Sequence, residues 1–136
     1  MSFVKKTPAQ PVKSQFQLEL VPTPGMNFSD QAKVQQQQVI QQLTRVSRGL
    51  FHPNPAVSVN GAIKSGQLYN SGLKVSTMLN AMKQHDLVLR VSVSGEHNAC
   101  AMATHEDIAS NAAISSPSGS FSLGIAGNTL RHIDFL

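Results

Sequence analysis

The sequence predicts an α+β domain: an open-faced β-sandwich in which one four-stranded antiparallel sheet carries three helices on one face. Three observations predict it. Phe16, Leu18 and Leu20, and again Leu87, Leu89, Val91 and Val93, recur at every second residue, the period of a half-buried strand. Val39, Leu43, Val46 and Leu50 recur at intervals of four, three and four, the period of a helix with one apolar face. Asn60-Gly61 is the strongest two-residue signal for a tight hairpin. Placed in chain order, these segments give β-α-β-β-α-β-α.

The elements follow one another in this way. Residues 1–14 are rich in Lys, Pro, Ser and Gln and read as a flexible basic tail. The first strand, Gln15–Leu20, turns Phe16, Leu18 and Leu20 toward the core and stops at Pro22 and Pro24, with Gly25 allowing a sharp turn. Ser29 or Asp30 caps the first helix. Its glutamine run, Gln35–Gln38, is expected on the solvated face, since Gln is a good helix former. Gly49 and Pro53-Asn54-Pro55 end the helix, and residues 56–59 and 62–69 flank Asn60-Gly61 as a hairpin. Asn70 or Ser71 caps a second helix with the stripe Val75, Met78, Leu79, Met82. The strand Leu87–Val93 is the clearest in the chain. A third helix is expected over about 97–113, with Met102, His105, Ile108, Ala109 and Ala112 on its buried side and Cys100 as a small core residue. Ser115–Gly119 reads as a linker and 120–136 as a C-terminal segment that either pairs along a sheet edge or grips a partner. The domain organisation is thus a tail (1–14), a domain (15–114) and a linker with extension (115–136).

Composition narrows the functional classes. With 136 residues the chain suits one domain. A single cysteine excludes an internal disulfide framework and a cysteine-based zinc site, and points to a reducing, cytoplasmic location. No apolar run reaches membrane-spanning length, and the stretch MSFVKKTPAQPVKSQ lacks the apolar core of a signal peptide. The net charge of +4 comes from cations scattered singly, with one Tyr and no Trp. Specific nucleic-acid binding, which asks for clustered cations and stacking aromatics, is therefore not expected. His52, His85, His97, His105 and His132 lack the spacing of a metal site, so no metal or other cofactor is expected.

The element order and three stretches, FQLELVPTPGMN, VSVNGAIKSG and LVLRVSVSGEHNACAM, resemble HPr, the histidine-containing phosphocarrier of the bacterial sugar phosphotransferase system. In the last stretch a strand, a Ser-Gly-Glu turn and a helix are similar to that family's last strand and helix. The resemblance covers 15 to about 113. It sets the family's motif, Gly-Leu-His-x-Arg-Pro, on Gly25-Met26-Asn27-Phe28-Ser29-Asp30. The histidine is replaced by Asn27, the arginine by Ser29 and the proline by Asp30. An amide nitrogen is not nucleophilic, so Asn27 cannot carry a phosphoryl group. Asp30 brings a negative charge to the helix N-terminus where an anion would otherwise sit. The resemblance therefore implies a non-catalytic member acting as a regulatory or adaptor module. Its protein-binding patch would be Met26, Phe28, Met78 and Met82, and its family's phosphoserine would fall at Ser71 or Ser76.

Two other functions fit the residues. An active phosphocarrier would use another histidine, for which His52 in GLFHPNPA is the candidate. A structural or assembly protein would use its basic tail against neighbouring subunits or nucleic acid. The sequence does not name the protein partner or the oligomeric state.

Overall fold

A computed structural model of the chain describes residues 12–52, 57–59, 66–67, 71–94, 99–116 and 119–135. The N-terminal part runs β1 (Val12–Ser14), β2 (Phe16–Pro22), α1 (Asp30–Val46), β3 (Val57–Val59) and β4 (Gly66–Gln67). The middle runs α2 (Val75–His85), β5 (Leu87–Val93), β6 (Ala99–Ala103) and α3 (His105–Ser110). The chain closes with β7 (Ala113–Ser116), β8 (Gly119–Ala126) and β9 (Thr129–Phe135). The fold is α+β with antiparallel pairing, as expected, but not one four-stranded sheet. The strands order as β1-β3, as β2-β5-β6 and as β4-β9-β8-β7.

The two alternating stretches pair with each other. Leu18 lies opposite Val91, and Leu20 opposite Leu89. On the other side of β5, Leu89 faces Ala103 and Val91 faces Ala101. One face of the sheet therefore sets large side chains on β2 and β5 beside small ones on β6, and all of these are buried. The opposite face carries Glu19, Arg90 and Met102 across the three strands.

This register corrects the expected third helix. Ala99–Ala103 is alanine-rich, and alanine is the best helix former, yet it forms an edge strand against β5. The pairing needs small side chains at 101 and 103, and that tertiary demand overrides propensity. The helix starts only at His105. Thr104 accepts a hydrogen bond from the Asp107 N–H, and Asp107 accepts one from the Thr104 N–H in return, closing a capping box. Met102, expected on a buried helical side, is 39% exposed on the outer sheet face. The stretch that carries the resemblance to HPr thus continues as a second strand where a helix was expected.

The expected linker is also corrected. Ser115 and Ser116 pair with Ser120 and Gly119 as a β7–β8 hairpin. β8 returns through Gly127-Asn128 to β9, with Ala126 opposite Thr129. Gly127 holds φ at +62°, a conformation glycine adopts at little cost in two-residue hairpin turns. Leu123 and Leu130 are fully buried in the same hydrophobic cluster as Leu89, Met78 and Ile108. Residues 12–14, expected in the tail, pair with β3. Among the described pairings β3 joins β1 and β4 joins β9, while Asn60-Gly61 lies outside the described residues.

Both long helices are anchored by distant polar groups. Ser29 caps α1, accepting from the Ala32 N–H at 3.1 Å. The inner stripe of α1 runs through buried Gln36 and Leu43, with Val39 and Ile40 half-buried, and the C-cap Ser47 is buried just beyond it. Val46, expected on this stripe, is 53% exposed. The glutamine run is not wholly solvated: Gln36 sits one heptad before Leu43 and faces inward. Its Nε2 donates to the His85 carbonyl at 2.9 Å, while its Oε1 is buried without a partner. The N-cap of α2 is Lys74 rather than Asn70 or Ser71, and it contributes no side-chain cap. The cap comes instead from Asn128, whose Oδ1 accepts from the Val75 N–H at 3.0 Å. The β8–β9 turn thus completes a helix 53 residues away.

Substitutions at two positions test these anchors. Asn128→Ala is expected to cost about 1 kcal/mol, and Asn128→Asp, an equally good cap, to retain stability in urea denaturation. Gln36→Glu is expected to cost about 3 kcal/mol at neutral pH, because a buried carboxylate would face the His85 carbonyl. A carboxyl buried there has a raised pKa and fits in its protonated form, so stability is retained in mild acid and lost as pH rises. Gln36→Met removes the orphan oxygen but also leaves the His85 carbonyl without its donor, so the two effects offset in part and a smaller cost than that of Gln36→Glu, about 1 kcal/mol, is expected.

Candidate functional site

The turn from β2 to α1 is built by Pro22, Pro24 and Gly25, the glycine at φ +81°. It leaves Met26 49% exposed, Asn27 exposed and Phe28 half-buried before the cap at Ser29. This turn is tied to the joint between α2 and β5. Asp86 adopts the left-handed conformation there, φ +53°. Its carbonyl accepts from both the Thr23 N–H at 3.0 Å and Thr23 Oγ1 at 2.8 Å. The adjacent His85 carbonyl takes the bond from Gln36. Two successive carbonyls at the end of α2 are thereby held by the β2–α1 turn and by α1.

A groove of about 280 Å³ opens between these turns and the start of α3. Its floor is apolar, from Met82, Leu87 and Val88, and its rim carries Met26, Lys83, Asp86, His105 and Glu106. Thr23, whose hydroxyl clamps Asp86, also lines it. The arrangement suits an apolar group seated on the floor, with polar groups meeting a rim of both charge signs.

The predicted binding residues separate. Met26 stands on the groove rim, but Met78 and Met82 are 0% and 1% exposed. They belong to the core, so the expected four-residue patch of Met26, Phe28, Met78 and Met82 does not form on the surface; only Met82 reaches the groove, as part of its floor. The motif positions lie together: Asn27 is exposed, Ser29 spends its hydroxyl oxygen on the Ala32 N–H, and Asp30 opens the first turn of α1. Ser71 accepts from the Leu73 N–H at 3.2 Å, and Ser76 is exposed in the first turn of α2. His52 is exposed after Phe51.

Cys100, expected inside a helix, is half-buried on β6. Arg90 Nε donates to its sulfur at 3.3 Å, and this contact, with the attraction between the two groups, raises the Arg90 pKa above its ordinary value. His105, Glu106 and Asp86 were not recognised from the sequence as a group. Asp86 lies at the α2–β5 joint while His105 and Glu106 open α3, and only the capping box at Thr104 marks in the sequence where that helix begins. Among the described residues no three His, Cys, Asp or Glu side chains converge as a metal site would require. Comparison of the chain with protein-family models, curated proteins and solved structures finds no match.

Proposed function

We propose that this chain is a non-catalytic protein-binding module that seats a segment of a partner in the groove beside Met26, acting as a regulatory or adaptor protein. The observation that carries the reading is Met26 itself: a large apolar side chain, 49% exposed, on the rim of a groove with an apolar floor. Methionine adapts its shape and is favoured at binding surfaces of this kind. The charged rim supplies orientation rather than bulk affinity.

The likeness of the Gly25–Asp30 stretch to the HPr motif, with its informative positions changed, supports a non-catalytic role in particular. Where that family places its histidine, Asn27 offers an amide without nucleophilic character. Ser29 already takes the Ala32 N–H and Asp30 puts a negative charge in the first turn, so the position lacks the arginine that would pair with phosphate and repels an anion at the helix N-terminus.

The test compares the parent chain with Met26→Asp as baits in native extract. A partner held by the parent and bound about tenfold more weakly by the variant, at unchanged melting temperature, is the expected result. A parallel incubation with phosphoenolpyruvate and the first enzyme of the phosphotransferase system should leave every histidine, His52 included, unphosphorylated. Efficient phosphorylation of any histidine, or partner capture indifferent to Met26→Asp, contradicts the proposal.

A further inference from the structure

The outer face of α1 is separate from the groove and has its own pattern. A helix turns about 100° per residue, which places Val34 directly opposite the buried Leu43. Within about 40° of Val34 lie Asp30, Gln38, Gln41 and Arg45, at intervals of four, four, three and four. These intervals keep the five residues on one face of the helix, and only Val34 among them is apolar. Every one of the five side chains is exposed, Val34 at 56%. The stripe is acidic at its first position, basic at its last and uncharged between.

We infer that this stripe is a self-complementary surface on which a second copy of the chain packs, α1 against α1 in antiparallel orientation about a two-fold axis between Gln37 and Gln38. That orientation sets Asp30 of each copy opposite Arg45 of the other, and Val34 opposite Gln41. The charge pairs form twice, as an isologous contact requires. Glutamine both donates and accepts hydrogen bonds, so Gln38 and Gln37 can pair across the axis with their counterparts. A parallel arrangement would instead place like charges together at both ends. The two helix dipoles also run in opposition only in the antiparallel pair. Because the contact is confined to one helix per copy, the dimer is weak and its population depends on concentration.

Sedimentation equilibrium of the full chain at low ionic strength tests this. The parent should show a monomer–dimer equilibrium. Gln38→Lys, which keeps helix propensity, brings like charges together at the axis and should raise the dissociation constant about tenfold. Asp30→Lys and Arg45→Glu should each weaken the dimer, and the double variant should return to within about threefold of the parent, since the swapped charges again face their opposites. Circular dichroism of each variant checks that the helix content is kept, and Gln38→Lys remains a test if the change at Asp30 disturbs the first turn of the helix. A parent that is monomeric at its highest soluble concentration overturns the inference. So does a dimer indifferent to Gln38→Lys, or a double variant no tighter than the single ones.

Discussion

The structure depends on one hydrophobic cluster that the middle and last thirds of the chain build together. Leu89 and Val91 on β5, Met78 and Met82 on α2, and Leu123 and Leu130 on β8 and β9 all lie in it at 1% exposure or less. Side chains of this kind contribute roughly 2 kcal/mol each when removed from water. Neither the β2-β5-β6 sheet nor the β7–β9 meander therefore buries its inner face alone. The cap that Asn128 gives α2 is the polar counterpart of that dependence: the last hairpin finishes a helix in the middle of the chain.

The groove is a consequence of how this cluster is closed at one end. The α2–β5 joint must reverse the chain in a single left-handed residue, Asp86. Its carbonyl and that of His85 point away from regular partners and are met by Thr23 and Gln36. These bonds draw the β2–α1 turn over the joint and leave Met26 at the rim. Burying Gln36 to hold His85 leaves its own oxygen unsatisfied, a cost of about 1–3 kcal/mol. The position of the turn is thus maintained by a polar contact that a purely apolar helix face would not provide.

What could be read from the sequence follows the strength of local signals. The alternation in β2 and β5 is long and unambiguous, and both strands stand where it places them. Ser29 likewise marks the start of α1. The resemblance to HPr rests on short stretches, and the one that includes ACAM adopts another conformation because its alanines answer to β5 across the sheet and not to their own helix propensity. Gln36 looks like one of four equivalent glutamines, and only its heptad distance from Leu43 distinguishes it. The segment Ser115–Gly119 has the composition of a linker, but the same residues suit a hairpin, and the burial of Leu123 and Leu130 decides between them. At the candidate site Met26 was legible as an apolar residue in a turn. The rim it shares with Lys83, Asp86, His105 and Glu106 is assembled from segments far apart in the chain, which no local pattern connects.

Native-state hydrogen exchange compares the two sheets in the unaltered protein and most directly tests the claim of a single shared core. If the cluster unites the chain, the slowest amides of β8 and β9 exchange with the same opening free energy as those of β5, through one global unfolding event. Amides of β8 and β9 that open at markedly lower free energy, while β5 remains protected, would contradict it and make the C-terminal meander an appendage to an independently stable domain.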